Sequence, residues 1–499
     1  MKSRVLISIA MTLRTSLVSL PLAAQAGDNL SSAPREYTLQ VLRGPLGGGG
    51  NANSVNNLGW VTGVSNPPED TYDHAVLWRD GQPTDLGTLG GNNSDGPLNN
   101  RNDIGWVVGT SETADQDPNQ ENFAGFGVGC QSKLAPPPCL PVSQISKGYL
   151  WQSTTNTMIA LPPLTGGNNS IGSGANNHEI FGVSENGVMG LDCASPQVFH
   201  FEGVVWSLGS DGTPSVPRRL PPLADDTVSV AGGINEVGDI VGASGPCIAF
   251  ATHAVLWKKD GSVIDLGNLG GATNIAAAIN NQGQVVGNSV LSDGMTVHAF
   301  LWEEGIGMQD LGTLPGDVQS NASAINDSGE VVGTSFDSAG NSRGFHWQRG
   351  VMTDISALPA VSPRLQEVSA NDINSRGEIA IVANDTTQPI DPSTELPLQI
   401  AAVLIPAGHA PAAIPAHSTR PNAGALVSAL AGAQPSTSNA VQQSCGVIGA
   451  SCRSGHPPCC AGEACGRRGL CCDALFKNSY CRTYYDCCDG LACLNHRCL

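Results

Sequence analysis

The segment 253–289, HAVLWKKDGSVIDLGNLGGATNIAAAINNQGQVVGNS, is followed at 298–335 by HAFLWEEGIGMQDLGTLPGDVQSNASAINDSGEVVGTS. Each contains the same four short apolar stretches, HAFLW, xxDLGTL, SxAxAIN and GxVVGxS. Their shortness, β-branched content and intervening Gly/Asn turns suit strands. In INxxG (Asn280 to Gly283, Asn326 to Gly329) the Asn side chain bonds its own following backbone while Gly accepts positive φ. That is hairpin chemistry, repeated from copy to copy, although the copy at 176–182 is one residue short there.

An earlier copy lies at 74–111, HAVLWRDGQPTDLGTLGGNNSDGPLNNRNDIGWVVGTS, and more divergent ones begin at GYLWQ (148), GVVWS (203) and GFHWQ (344). The anchoring tryptophans are Trp78, Trp151, Trp206, Trp257, Trp302 and Trp347, the last three spaced by 45 residues. Four strands per roughly 40–45 residues is the period of a β-propeller blade. The first repeat-like segment, 37–65, lacks a leading HAFLW strand, and the last, IAAVLIPAG (400–408), offers an apolar strand with nothing after it. If Ala401–Ile405 completes the blade begun at Tyr37, six whole copies and one split copy make seven blades, with the sheet edges hidden. The expected fold is therefore all-β: a seven-bladed propeller over 37–408 with split-blade closure. An open β-solenoid is the alternative.

Because HAFLW, DLGTLGG and AINxxGxVVG recur in that order over about 37–408, the chain resembles the bacterial extracellular repeat family named for its His-Ala-Phe signature. The copies at 148 and 203 lack the His and the Asp-Leu-Gly. The resemblance implies an exported repeat protein and brings no assigned chemistry with it.

Export is also read from the start of the chain. Lys2 and Arg4 precede an apolar stretch, and Ala24 and Ala26 stand at the −3 and −1 positions of a cleavage site, so residues 1–26 read as a signal peptide. Arg14 interrupts the apolar run: either the charged region extends to Arg14 and TSLVSLPLA is the hydrophobic segment, or the signal is weak. No other stretch approaches the length of a membrane span. A formal charge of −19 disfavours nucleic acid and anionic membranes as partners, and also suits the solubility of a secreted protein. An oxidising compartment would then hold the 16 cysteines.

Twelve of those cysteines fall in residues 445–499, behind an Ala/Pro/Ser-rich stretch (409–444) that reads as a disordered linker. They form two sixes, over 445–471 and 472–499, each in the order C…C…CC…C…C. Six cysteines permit about 15 connectivities, and spacing alone chooses none. The order closely resembles inhibitor-cystine-knot peptides, the knottins. That resemblance implies Cys445–Cys460, Cys452–Cys465 and Cys459–Cys471, then Cys472–Cys488, Cys481–Cys493 and Cys487–Cys498. A unit this small buries no core of its own and depends on its disulfides. The tail carries a formal +2, whereas 27–444 holds 15 basic and 39 acidic residues, a formal −24.

Chemistry is sparse. No HExxH, GxSxG, Walker loop or dinucleotide fingerprint occurs, so no catalytic residue and no cofactor is expected. His74, His253 and His298 open HAFLW strands and should make one structural hydrogen bond repeated by blade; Asp85, Asp265 and Asp310 of DLG should close turns. Asp115, Asp117, Asn119 and Glu121 alternate as oxygen ligands do in calcium loops, but lack that motif's glycine and distal glutamate, so a solvated insertion is the simpler reading. Cys130 and Cys139 would close that insertion, and Cys193 and Cys247 could bridge successive blades.

Two features point to binding. The insertions at 112–147, 185–202 and 243–252 all follow a VVG strand, so all should emerge on one face. The second cysteine module carries Phe476, Lys477, Tyr480, Arg482, Tyr484 and Tyr485, residue types enriched at interaction hot spots. The expectation is a secreted binding protein for an extracellular protein or glycan. The competing readings are a toxin or inhibitor whose tail is released by cleavage in the linker, and an exported propeller hydrolase or lyase.

Overall fold

The computed structural model describes residues 35–408 except 68–71, 97–98, 101, 119–143, 186–200, 210–211, 224, 247–250 and 389–396, together with the backbone of four short strands beyond residue 408. The expected signal peptide and linker lie outside the described residues. So do the insertion cysteines, the tail's aromatic and basic residues and the side chains of every proposed disulfide.

Among the described residues every regular element is a strand; up to residue 408 the strands form seven blades, given from the axis outward, with the two-residue strand Asn99–Asn100 added in parallel to the inner strand of blade 3. Blade 1 is Gly50–Val55, Val61–Ser65, His74–Arg79 and Gln82–Asp85. Blade 2 is Gly90–Asp95, Trp106–Gln116, Gln144–Gln152 and Thr157–Ala160. Blade 3 is Ser170–Ala175, Glu179–Glu185, Phe201–Ser207 and Arg218–Leu220. Blade 4 is Val228–Ile234, Ile240–Gly245, His253–Trp257 and Val263–Asp265. Blade 5 is Gly270–Ile279, Val285–Leu291, Val297–Glu303 and Gly307–Gly312. Blade 6 is Gln319–Ile325, Val331–Phe336, Ser342–Gln348 and Val351–Asp354. Blade 7 is Leu365–Ile373, Ile379–Asp385 and Gln399–Pro406 from the C-terminal side, with Tyr37–Leu42 outermost. A blade thus begins at the AIN strand and ends at DLG; the repeat that starts at HAFLW straddles two blades.

Closure follows the split the sequence predicts. Tyr37–Leu42 pairs antiparallel with Gln399–Pro406, from Tyr37 opposite Pro406 to Leu42 opposite Ala401. Blade 7 then meets blade 1 at a buried clasp: Asp372, fully buried, accepts the Ser54 hydroxyl at 2.6 Å and the Val55 N–H at 3.0 Å. The ring is closed, not an open solenoid.

The core is seven clusters, one at each blade-to-blade junction. Trp78 fills the junction of blades 7 and 1, Trp206 that of blades 2 and 3. Their buried indoles need a polar partner, and find it on the preceding blade: Trp78 donates to the Arg43 carbonyl (2.9 Å), Trp206 to Pro162 (2.8 Å) and Trp257 to Pro221 (2.7 Å). Buried serines stitch the same junctions. Ser320 accepts the Ala299 N–H (2.9 Å) and donates to the Gly312 carbonyl (2.6 Å), and Ser94, Ser170 and Ser229 do the same in their blades. The glycine of VVG is dictated by space: a Cβ on Gly333 would lie 2.0 Å from the Asn321 carbonyl oxygen of the adjoining inner strand.

Beyond the propeller, two short hairpins are described. Cys465 faces Cys471 across the first and Cys493 faces Cys498 across the second.

Candidate functional site

Each connection from second to third strand leaves the same face of the ring, so the three insertions share it. Their strand-free parts are shorter than the sequence reading, because the second strand of blade 2 continues to Gln116 and its third starts at Gln144. The inner-strand turns occupy the opposite face.

On the insertion face the His that opens the HAFLW stretch meets the outer strand in blades 1 and 5. His74 Nδ1 lies 3.0 Å from Asp85 and His298 Nδ1 lies 2.9 Å from Asp310. Asp85, Asp265 and Asp310 each also accept the N–H of the glycine two residues on, at 2.7–2.9 Å, which is the turn-closing role. Burial would raise the Asp85 carboxyl, but the hydrogen bonds from His74 and Gly87 and the His74 charge outweigh it and hold it below its ordinary value. Elsewhere the position is rewritten with its charge logic intact. Arg343 stands in the His place of blade 6 and pairs with Asp354 at 2.9 Å and with Asp317 at 2.7 Å. Blade 3 inverts the pair, with Glu202 on the third strand and Arg219 on the outer one. His253 departs from the expected pattern: it pairs with Asp226 at 2.9 Å rather than with Asp265, because Asp226 reaches in from the preceding connection, where it also accepts the Ser244 hydroxyl.

Blade 2 has no such pair, since Lys147 occupies the His place and the outer strand offers Ala160 opposite Tyr149. Lys147 instead donates to the Asn168 carbonyl, beside two buried acids. Asp117 accepts the side-chain amides of Asn168 and Asn169, both at 2.9 Å, and Glu185 accepts the Asn168 and Asn169 backbone N–H groups at 3.2 Å. Asn169 Nδ2 also lies 3.3 Å from Glu185, so one amide bridges the two carboxylates. Burial lowers the Lys147 ammonium pKa, and the charges of Glu185 and Asp117 work against that shift. Glu112 holds the N–H groups of Asn92 and Asn93 in the same way as Glu185, from the identical segment GGNNS. The carboxylate on that loop is therefore a repeated structural device, whereas Lys147 and Asp117 are particular to this junction.

At the opposite end of the axis, the Asn of each INxxG turn does two jobs. Asn326 Oδ1 accepts the N–H groups of Ser328 and Glu330, both at 3.0 Å, capping its own turn, while Nδ2 donates to the Asn374 carbonyl of the next blade at 3.0 Å. The donation runs from Asn176 through Asn235, Asn280, Asn326 and Asn374 to Asn56 and on to Asn102. The following residues form a second tier, with Asp327 taking both the N–H and the amide of Asn281, and Asp103 both those of Asn57. A polar recess of about 60 Å³ lies within these turns. The short copy is shorter here too: Asn176 N–H bonds the Glu179 carbonyl, where Asn235 N–H reaches Asp239.

Of the weak calcium candidates, Asp117 is committed to Asn168 and Asn169 and Asp115 lies on the exposed end of its strand; Asn119 and Glu121 lie outside the described residues. No group of three or more metal-ligating side chains is found among the described residues. The tail residues Phe476, Lys477, Tyr480, Arg482, Tyr484 and Tyr485 lie outside them as well. The Lys147 junction and the inter-blade donation from Asn escaped the sequence reading, although the single Lys at a repeated His position was a visible departure.

No family model matches the chain, and no curated protein does. Solved structures with a similar fold include the β-propeller domain of the Trilobed protease from Pyrococcus furiosus, at 11% identity over 72% of this chain and 94% of that one, TM-score 0.42. Virginiamycin B lyase from Staphylococcus aureus aligns at 11% identity over 74% of this chain and 99% of that one, TM-score 0.40. TolB from Acinetobacter baumannii aligns at 13% identity over 58% of this chain, TM-score 0.35, and the match spans 61% of the TolB chain, less than two thirds of its length.

Proposed function

We propose that this chain is a secreted binding protein. The propeller presents its ligand surface on the insertion face, and the tail adds two cystine-knot modules behind a flexible linker. One observation carries the reading: the long connections of blades 2, 3 and 4 leave consecutive blades on one face of a scaffold locked at every junction, which is how binding loops are set on rigid frames. The ligand is an extracellular protein or glycan. The test replaces residues 119–143 and 186–200 by tight turns like that between Phe336 and Ser342, then measures binding to glycans and cell-surface preparations. Loss of binding with an unchanged melting temperature is the expected result; undiminished binding by the shortened protein would overturn the reading.

The Lys147 junction favours a second reading, a propeller hydrolase or lyase, because two buried carboxylates and an ammonium of lowered pKa converge beside those insertions. It requires that Asp117→Asn abolish turnover of a polymer that the parent cleaves, assayed well below the variant's melting temperature because Asp117 also holds the Asn168 and Asn169 amides.

A further inference from the structure

In blades 2 to 6 the second strand closes on a buried serine that belongs to a repeated stitch. Ser335 accepts the N–H of Leu314, in the connection arriving from the preceding blade, at 3.1 Å, and Ser184 accepts that of Leu164 at 2.8 Å; blades 2, 4 and 5 repeat the bond. Opposite the serine, the inner strand places a second polar residue: Ser320 opposite Ser335, Ser170 opposite Ser184, and a serine or asparagine in the other three blades.

Blade 1 has neither half. Two residues beyond the carbonyl that accepts the tryptophan indole stands Leu164 after Pro162 and Leu223 after Pro221, but Pro45 after Arg43. Proline has no N–H to donate. Opposite Ser65 the inner strand offers only Gly50. Ser65 is fully buried, and its hydroxyl has no hydrogen-bond partner among the described residues. Leaving a buried hydroxyl unpaired is costly, and breaks of a local rule concentrate at functional sites.

At this seam between blades 7 and 1, a cavity of about 450 Å³ opens on the insertion face. Small-molecule sites measure roughly 300–1,000 Å³ and are mostly apolar with a few convergent polar groups. Leu42, Leu398 and Ile400 supply the apolar lining, and the backbone of Gly47–Gly50 forms another wall. The N–H groups of Gly47 and Gly49 make no hydrogen bond among the described residues. No acidic residue lines the cavity, whereas Arg43 and Arg364 both do. Arg364 gives Nε and Nη2 to Asp385 at 3.1 and 2.6 Å, which fixes the guanidinium and leaves Nη1 without a bond among the described residues. Arg43 forms no ion pair among them. Donors without acceptors around an apolar wall suit a ligand that brings an anionic head on an apolar body. Because Asp385 neutralises Arg364, the net charge at the cavity is the single one on Arg43, which matches a monoanion.

We propose that the seam between blades 7 and 1 binds a small organic carboxylate with an apolar body, its head held by Arg43 and Arg364. The site needs neither the insertions nor the macromolecular ligand assigned to them. Calorimetry of the full chain at constant ionic strength tests it with N-acetylleucine, with N-acetylleucinamide as the same body uncharged, and with acetate as the head alone. The expected result is saturable binding of N-acetylleucine, with the other two weaker by about tenfold or more. Arg43→Gln should weaken N-acetylleucine by about tenfold, and Leu398→Trp, which fills the cavity, should abolish its binding, both with the parent's melting temperature. Arg218→Gln, which removes an exposed cation of blade 3 that forms no ion pair among the described residues, should bind like the parent. The protein with shortened insertions should also bind N-acetylleucine undiminished, so this site and the insertion surface stand or fall separately. Absence of saturable binding in the parent, equal affinity of Arg43→Gln, or equal affinity for the amide overturns the site. Tighter binding of a leucine-terminated hexapeptide overturns the small-molecule assignment.

Discussion

At the scale of single residues, the propeller rests on small polar side chains used twice. Asn326 caps its own turn through Oδ1 and ties blade 6 to blade 7 through Nδ2. The two jobs separate by substitution. Asn326→Asp keeps the acceptor but replaces the donor with an oxygen facing the Asn374 carbonyl, and Asn326→Ala removes both functions. Each should cost about 1–3 kcal/mol in urea denaturation, with Asp no better than Ala if the inter-blade bond dominates. Gly333 makes the complementary point about volume. Its Cβ would collide with the Asn321 carbonyl oxygen, part of the backbone of a strand that cannot step aside, so Gly333→Ala should destabilise by about 1–3 kcal/mol or more in the same assay. The asparagine caps were legible, because an Asn bonding its own next backbone groups is a local event. The donation to the next blade was not, because its acceptor lies 48 residues away and meets it only around the axis.

Among elements, the strand Gln399–Pro406 has the largest consequence. It lies between Ile379–Asp385 on one side and Tyr37–Leu42 on the other, so both ends of the propeller depend on it. Truncation after Asn384 should therefore destabilise the propeller severely, whereas truncation after Pro406 should leave it folded; thermal melts of the two proteins check this. The same blade should be acid-sensitive. Hydrogen bonds from Arg364 hold the Asp385 carboxyl well below the carboxylate range against the opposing effect of burial, and Thr387 assists. A carboxylate depressed in the folded state contributes stability above its unfolded pKa of about 3.9, and that contribution fades as pH falls below it. The parent should thus be more stable than Asp385→Asn at neutral pH, and the melting temperatures of the two should converge as pH drops toward about 2. The blade's strands were legible as apolar stretches. Their grouping was not, since the repeat as written begins at HAFLW while a sheet begins at AIN.

For the whole molecule, the distribution of cysteine separates two ways of being stable. No described strand of the propeller contains a cysteine, and the junctions there are held by apolar clusters, buried serines and the asparagine ring. Reduction under native conditions should leave the propeller's melting transition within a few degrees of the oxidised protein's. If the tail is a pair of cystine knots, the same treatment should make residues 445–499 sensitive to protease, and mass spectrometry of timed digests reads both effects. A large fall in the propeller's transition would mean that cysteines in its connections carry stability that the strands do not.

Repetition made much of this protein determinable from sequence: four strand-like stretches per period, a count of seven, a split last blade, and insertions confined to one face all follow from where turn residues and apolar runs recur. These properties depend on near neighbours along the chain or on the number of copies. What the tertiary structure alone decided depends on side chains brought together across blades. Asp226 displaces Asp265 as the partner of His253; Asp117 and Lys147 meet over Asn168 and Asn169; and Arg79 lies against Trp60 and Trp151 with no carboxylate partner among the described residues. In each case the partner comes from another strand or connection, and only ring closure sets the distance between them.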